Sequence, residues 1–306
     1  MIDHDAEPGR LDRCQISGST NLNLIIDLGH QPLCDALPAT TDEPETTYPL
    51  KLNHCPDSGL AQLDYVVEGS EVYPPSYPYR SGISIPVLEY QHALADEIVM
   101  RLGLSAESLC VDVGSNDGTL LTGFRRRGMR TLGVEPTDIA RIASDENEIE
   151  TIEAFFTEAL ACDIAREYGH ADVITMTNVF AHIATLGEVM RGLSRLLAKD
   201  GVFVSESHYL LDILETNQFD TVYHEHIRAY SVKSLRMLVG YYGMEVFDAR
   251  RVERYGGNIR VYVARKGLHP VSSAVGELLA LEESSGLHEP ESWRAFVERV
   301  HTGRDR

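Results

Sequence analysis

The segment VDVGSNDGTLL, Val111 to Leu121, limits the possible folds of this chain more than any other. A short apolar strand leads directly into a turn that begins and ends with glycine, and the turn leads directly into a helix. Glycine permits a sharp backbone turn and a close approach of a ligand to the main chain. In doubly wound α/β folds, ligands bind where such loops leave the carboxyl ends of strands. The segment therefore predicts a ligand-binding loop in a parallel α/β sheet.

The pattern around this segment supports the same fold. Strand-like stretches alternate with helical ones from residue 81 to residue 250. The predicted strands are 109–113, 130–134, 172–177 and 201–205, and the predicted helices are 86–102, 119–127, 157–168, 186–198 and 232–242. Helices of this length between strands indicate a parallel sheet covered on both faces. Two further strands, 244–247 and 259–264, are expected to pair antiparallel, which makes about seven strands in all.

Composition excludes several classes of protein. The formal net charge is −20, and Lys and Arg do not cluster beyond short runs, so a nucleic-acid partner is disfavoured. No apolar run is long enough for a membrane span, and the first residues lack the apolar centre of a secretory signal. Five cysteines are an odd number, so structural disulfides are not expected. We expect a cytoplasmic protein.

The turn after the first strand differs from the G-x-G-x-x-G pattern of dinucleotide sites. A pyrophosphate needs free amides at a helix N-terminus, whereas Asn116 and Asp117 occupy that turn in this chain. Asp112 on the strand could face the amino group of a bound amino acid, and Glu135 at the end of the next strand could accept ribose hydroxyls. A cofactor with a ribose and a zwitterionic amino acid, S-adenosylmethionine, fits better. The alternative is a plain turn in which Asp117 caps the following helix.

The predicted cofactor-binding residues share one position, the carboxyl ends of neighbouring strands. They are Asp112, Gly114, Ser115, Asn116, Asp117, Glu135, Pro136 and Asn178. For Asn178, a contact to the cofactor or substrate and a helix cap are equally compatible with its place. His182, in the same stretch, is open to the ordinary interpretation of a hydrogen-bonded loop histidine.

A second polar cluster, Tyr223-His224-Glu225-His226, follows the fifth strand. Histidine titrates near neutral pH, and a neighbouring carboxylate or phenol can orient its ring, so acid–base chemistry is favoured. Metal binding is a second interpretation, because His224 and His226 would share a face in a strand, although a third ligand is not evident. A polar loop hydrogen-bonded into the core is the third.

Taken together, these stretches resemble the bacterial sugar C-methyltransferases of deoxysugar biosynthesis, three-part enzymes that act on nucleotide-linked 4-keto sugars. The matching segments, in the order of the family, are DLGHQPL (27–33), YPLKLNHC (48–55), GLAQLDYVV (59–67), YPYRSGIS (77–84), VGSNDGTLL (113–121), GVEP (133–136), TNVFAHI (177–183), FDTVYHEH (219–226) and YGGNIRVYVAR (255–265). The resemblance implies three parts: a small β-rich N-terminal domain (1–80), a Rossmann-like S-adenosylmethionine-binding domain (81–250) and the start of a C-terminal α/β domain (251–306).

The resemblance also implies a mechanism and residue roles. His226 would be the base that removes a proton beside the ketone, and the resulting carbon nucleophile would take the methyl group. Glu225 would orient or assist His226. Tyr79, His182 and Tyr223 match further active-site positions, while Tyr79, His224, Gly257 and Asn258 match positions near the sugar nucleotide.

Two features depart from the family. Its two C-x-x-C pairs, which bind a structural zinc, are replaced in this chain by CQIS (14–17) and CPDS (55–58). Cys34, with His30 or His54, could complete a rearranged zinc site with Cys14 and Cys55. Alternatively the metal is absent and the cysteines are small buried apolar side chains.

The second departure is length. The chain stops within a helical pattern at 292–306, so we expect a C-terminal domain that is cut short. Two further functions stay open: an O- or N-methyltransferase of another small metabolite, and a cofactor-binding protein without turnover.

Overall fold

The computed structural model describes residues 4–38, 40 and 42–304. The chain divides into two compact units, each assembled from separate stretches. The first unit comprises the described residues of 1–72, 180–187 and 206–306, and the second comprises 73–179 and 188–205. The three-part division at residues 80 and 250 stays a prediction.

Strands predominate up to residue 66, and helices then alternate with strands through most of the chain. The strands are β1 (Gly9–Arg10), β2 (Asn23–Pro32), β3 (Thr47–Cys55), β4 (Leu60–Leu63), β5 (Tyr65–Val66), β6 (Leu109–Val113), β7 (Arg130–Glu135), β8 (Thr151–Glu153), β9 (Ala171–Thr177), β10 (Leu197–His208), β11 (Arg228–Ala229), β12 (Met244–Val252) and β13 (Asn258–Arg265). The helices are α1 (Gly69–Val72), α2 (Ile85–Leu102), α3 (Thr119–Arg126), α4 (Ile139–Asp145), α5 (Glu158–Glu167), α6 (Leu186–Leu196), α7 (Leu210–Thr216), α8 (Val232–Gly240), α9 (Ser273–Ser284) and α10 (Pro290–Arg304). Within the described residues, no helix is both long and apolar enough to cross a membrane.

The second unit is built on a sheet with strand order β10-β9-β6-β7-β8. β6 pairs parallel to β7 and to β9, and β7 pairs parallel to β8. All five residues of β6 are buried, which is typical of a parallel strand covered by helices on both faces. The predicted Rossmann-like α/β fold is therefore confirmed.

Most predicted elements of this unit agree with the structure to within a few residues. The helix predicted at 86–102 begins at Ile85 and ends where Gly103 turns left-handed, at φ 63°. The sequence pattern does not predict β8, because this strand has only three residues and none is fully buried. β10 is longer than predicted, because its last residues, Glu206 to His208, are polar and end the apolar pattern although they are buried.

The first unit is β-rich. A four-stranded antiparallel sheet runs in the order β11-β4-β3-β2, and β1 pairs antiparallel to β5. β12 and β13 pair antiparallel, as predicted, from Met244 opposite Arg265 to Val252 opposite Asn258. The last three residues of β10 belong to this unit, next to β13.

A buried ion pair joins β10 to β13 within the first unit. Arg260 donates through Nε to Glu206 Oε2 at 2.8 Å, and the side chains of both residues are 1% exposed. Asn258 donates through Nδ2 to the other carboxylate oxygen at 3.3 Å. Charges removed from water at this depth are tolerated only when they are paired and hydrogen-bonded.

We expect Glu206→Ala to destabilise the protein by about 3–5 kcal/mol, because Arg260 would remain buried without its carboxylate. The measurement is urea unfolding followed by circular dichroism. Asp163→Ala is the control, since it removes an exposed ion pair with Arg166 and should leave the midpoint unchanged. Equal midpoints for the two variants would show that the buried pair does not stabilise the unit.

Candidate active site

The loop that follows β6 carries left-handed backbone at three positions. Gly114 has φ 67°, Asn116 φ 51° and Gly118 φ 75°. A Cβ atom on Gly114 would overlap the Val179 side chain, so only glycine fits there. The main chain at Gly114 therefore lies directly against Val179, which is two residues after the end of β9.

Asn116 and Asp117 fasten the segment 79–82 to this loop. Asn116 donates through Nδ2 to the Tyr79 carbonyl at 2.9 Å and accepts from the Ser81 amide at 2.8 Å. Asp117 accepts from the Gly82 amide at 2.8 Å. The side chains of Asn116 and Asp117, both predicted to bind the cofactor, therefore hold this segment against the loop. Tyr79 is half-exposed, and the group that Asn116 binds is its main-chain carbonyl.

Asp117 also occupies the start of α3. Its Oδ1 atom accepts from the Thr119 amide at 3.3 Å, and the residue is 1% exposed. The N-cap of α3 is Gly118, which makes no side-chain cap hydrogen bond, so Asp117 is not the helix cap that the sequence left open. Because a buried carboxylate stands among the first amides of α3, this helix start does not offer a phosphate site.

Glu135 links the ends of β6 and β7. Its Oε2 atom accepts from the Asn116 amide at 2.9 Å, and Oε1 accepts from the Thr137 amide at 3.1 Å and the Thr137 hydroxyl at 2.7 Å. Burial raises the pKa of Glu135, while these hydrogen bonds act in the opposite direction. A carboxylate has about four acceptor positions, so it can still accept from a bound hydroxyl.

Asp112 lies one strand position before the end of β6 and is buried. It accepts from the Thr175 hydroxyl on β9 at 2.6 Å, and burial raises its pKa to about 7. Nearby in sequence, the buried Ser115 hydroxyl has no hydrogen-bond partner among the described residues. Asn178, directly after β9, is left-handed at φ 55° and eight residues before α6, so it does not cap that helix.

These residues fit S-adenosylmethionine. Its ammonium group would stabilise the charged form of Asp112, and its ribose hydroxyls have an acceptor in Glu135. The unpartnered Ser115 hydroxyl would be a further polar contact. The start of α3, with the buried Asp117 carboxylate beside it, does not suit a pyrophosphate.

A cluster of four rings, centred on His226, lies in the first unit. The His226 ring centroid lies 4.9 Å from that of His182, 4.4 Å from that of His208 and 3.9 Å from that of Tyr223. His226 Nδ1 lies 2.7 Å from the Thr221 carbonyl oxygen. A carbonyl only accepts, so Nδ1 carries the hydrogen in the neutral ring and Nε2 holds the lone pair.

Burial keeps these histidines neutral. It lowers the pKa of His182 to about 3 and that of His208 to about 4. Burial, reinforced by His182 and His208, lowers the pKa of His226 well below its ordinary value of 6.5. At neutral pH His226 is therefore unprotonated, with its lone pair on Nε2.

His208 is a site residue that the sequence interpretation misses. It is the last residue of β10 and is buried beside His226. The signal that could have found it is the polar triplet Glu206-Ser207-His208 at the carboxyl end of a buried strand, the position where α/β enzymes place functional side chains.

The other residues of the Tyr-His-Glu-His motif point elsewhere. His224 donates through Nε2 to the Pro49 carbonyl on β3 at 3.2 Å. Glu225 accepts from the Cys34 thiol at 3.0 Å, and burial raises the pKa of that thiol. Across the part of the chain that the structure describes, the one group of three potential metal ligands within 4.8 Å is Cys34, Asp35 and Glu225, so His224 and His226 do not share a ligand set.

Gly257 and Asn258 stand at the start of β13. Gly257 has φ 133°, and a Cβ atom there would overlap the Asp212 carboxyl, which is paired with Arg251. Asn258 is fully buried against Glu206. The structure thus assigns both residues packing constraints, and their proposed place near a sugar nucleotide stays a prediction.

Of the three cysteines predicted as zinc ligands, Cys14 and Cys55 are brought together, with their side chains hydrogen-bonded to each other, and Cys34 lies apart from them. Cys14 and Cys55 are both buried and contact the serines of the opposite segment, Ser58 and Ser17. Cys34 contacts Glu225 instead. Two thiols and two hydroxyls are a poor donor set for zinc, which normally takes four nitrogen, sulfur or carboxylate ligands.

Comparison with known families covers most of the chain. Residues 14–73 match a family described as "Putative zinc binding domain", residues 87–249 match one described as "Methyltransferase domain", and residues 253–306 match one described as "C-methyltransferase C-terminal domain". The fold and the loop chemistry described above are therefore those of an S-adenosylmethionine-dependent methyltransferase.

Individual relatives agree. C-methyltransferase NovU of Streptomyces niveus is 35% identical over 291 residues, which is 94% of this chain and 69% of that protein. The chain belongs to this family of C-methyltransferases.

Two solved structures are also similar. An S-adenosylmethionine-dependent methyltransferase from Clostridium acetobutylicum has TM-score 0.47 and 14% identity over 59% of this chain and 92% of its own. Magnesium protoporphyrin IX methyltransferase from Synechocystis has TM-score 0.44 and 13% identity over 58% and 83%.

We expect Glu135→Ala to weaken the binding of S-adenosylhomocysteine by about 1–3 kcal/mol, because hydrogen bonds to a charged acceptor are lost. Isothermal titration calorimetry measures this. Glu153→Ala is the matched control, since Glu153 is the register partner of Glu135 on β8 and is exposed.

Thr137→Val separates binding from loop stability. It removes the hydroxyl that donates to Glu135 but leaves the carboxylate in place. We expect its affinity to stay close to that of the native protein. If Thr137→Val weakens binding as much as Glu135→Ala does, Glu135 acts on the loop and not on the cofactor.

Proposed function

We propose that this protein methylates a carbon atom next to the ketone of a nucleotide-linked 4-keto deoxysugar, with His226 as the base. The observation that carries the proposal is the Nδ1 contact of His226 with the Thr221 carbonyl, which assigns the lone pair of the neutral ring to Nε2. The C-methyltransferase domain match supports the choice of carbon as the methylated atom.

The first step is the removal of a proton. A hydrogen on the carbon beside a ketone can be removed because the negative charge that remains spreads onto the ketone oxygen. His226 accepts this proton at Nε2 and becomes an imidazolium, while its Nδ1 hydrogen bond to Thr221 becomes stronger. Bound S-adenosylmethionine supplies the electrophilic methyl group that the carbon then takes.

One of the rings around His226, that of Tyr223, faces the charge that His226 gains. The Tyr223 ring, with its centroid 3.9 Å from that of His226, presents aromatic surface to the imidazolium. His182 and His208 are neutral and do not add a second positive charge. Glu225 accepts from the Cys34 thiol, so its proposed assistance to the base rests on the family resemblance alone.

The remaining site residues take the roles that the family resemblance implies. Asp112, Glu135 and the Gly114–Gly118 loop would hold the cofactor, together with Pro136 and Asn178. Tyr79, His224, Gly257 and Asn258 would lie near the sugar nucleotide. Each of these assignments is part of the proposal.

The experiment that tests the base is deuterium exchange from solvent. With a nucleotide-linked 4-keto deoxysugar and S-adenosylhomocysteine in deuterium oxide, the native protein should place deuterium on the carbon beside the ketone. His226→Asn should lower this rate by at least about 100-fold, because the proton acceptor is gone. His170→Asn, which changes an exposed histidine, is the control. Undiminished exchange in His226→Asn would remove the proposed role.

The pH dependence of the same exchange follows from burial. Because burial lowers the pKa of His226 in the folded protein, the neutral, active ring persists below pH 6.5 and is protonated only at more acid pH. At low substrate concentration, we therefore expect the exchange rate divided by the substrate concentration to stay constant from pH 7.5 down to pH 6.5. A midpoint at or above 6.5 would contradict the buried, neutral His226.

A further inference from the structure

The two segments that replace the C-x-x-C pairs have the same sequence pattern and the same turn. Each has the pattern C-x-x-S-G, from Cys14 to Gly18 and from Cys55 to Gly59. In each, the glycine amide donates to the carbonyl of the cysteine at 2.8 Å, and the glycine is left-handed, at φ 69° and 75°. The backbone turn is therefore kept at both places although the second sulfur of each pair is missing.

The four side chains form two reciprocal contacts between the turns. Ser58 Oγ lies 3.1 Å from Cys14 Sγ, and Ser17 Oγ lies 3.5 Å from Cys55 Sγ. Each serine oxygen also accepts from the backbone amide two residues further on, Ser17 from Ser19 and Ser58 from Leu60. In each serine–cysteine contact either the hydroxyl or the thiol can donate, and the Cys14 and Cys55 side chains are also hydrogen-bonded to each other.

Three of the four members of the cluster are buried, and Ser17 is half-buried. Cys55 and Ser58 have no exposed surface, and Cys14 is 1% exposed. Ile16, between the two residues of the first turn that face the cluster, is also fully buried. Buried polar atoms need partners, and these four side chains supply partners to one another.

The donor set does not suit zinc. Thiolates bind zinc well and neutral hydroxyls do not, so the cluster offers two good ligands where a structural site needs four. Among the described residues, no group of three histidines, cysteines or carboxylates close enough to share an ion includes Cys14 or Cys55. His54, considered above as a replacement ligand, stacks on His288 instead, with ring centroids 5.6 Å apart.

We propose that Cys14, Ser17, Cys55 and Ser58 form a metal-free cluster in which hydrogen bonds between thiols and hydroxyls, together with burial, hold the two turns that zinc holds in related proteins. The first unit is consequently folded without zinc, and only the two missing sulfur atoms prevent it from binding the metal.

The test is the zinc content of the whole chain, purified from cells supplied with zinc and measured by inductively coupled plasma mass spectrometry. We expect no stoichiometric zinc in the native protein, and about one ion per chain in the double variant Ser17→Cys with Ser58→Cys, which restores four thiols. The matched control is Ser70→Cys with Ser284→Cys, which adds two thiols at exposed positions and should bind none.

Two results would overturn the proposal. The first is about one zinc ion per chain in the native protein that is lost in Cys14→Ser, a result that does not require the double variant to fold. The second is a folded double variant that holds no zinc, because the missing sulfurs would then not be the reason. Thermal unfolding with and without a chelator tests the proposal independently of metal analysis. We expect the chelator to leave the midpoint of the native protein unchanged and to lower the midpoint of the double variant.

Discussion

The second unit depends on carboxylates that are buried but satisfied by backbone amides. Glu135 accepts from the amides of Asn116 and Thr137, and Asp117 accepts from those of Gly82 and Thr119. A buried charge without such partners costs several kcal/mol, so these contacts determine where the three connected segments can lie. The loop after β6 is held in place by the same groups that are proposed to bind the cofactor. Preorganisation of this kind lowers the cost of ordering a loop when a ligand binds.

The polar groups around His226, in the first unit, have a different kind of partner. Around His226 the partners are aromatic rings and one carbonyl, so burial is not offset by charge and the histidines stay neutral. The Thr221 carbonyl then decides which nitrogen holds the lone pair. A neutral imidazole can accept a proton from a substrate, which is the role proposed for His226.

Much of this arrangement is predictable from the sequence, and the exceptions have physical reasons. The strand–loop–helix around Gly114 and the position of Glu135 follow from local pattern, since a parallel sheet places the ends of its strands together. The partners of Glu135 do not follow, because they depend on the backbone conformation of Asn116. His208 escapes prediction because polar residues at the end of β10 resemble a strand terminus. The sequence groups Cys34 with the other cysteines, whereas the fold places it against Glu225.

The most direct test of the account is to identify the atom that receives the methyl group. The protein would be incubated with a nucleotide-linked 4-keto deoxysugar and S-adenosylmethionine labelled with carbon-13 in its methyl group, and the product examined by carbon–carbon correlated NMR on a uniformly carbon-13-labelled sugar. C-methylation predicts a one-bond coupling between the new methyl carbon and the sugar carbon beside the ketone. A methyl group bonded to oxygen or nitrogen would contradict it.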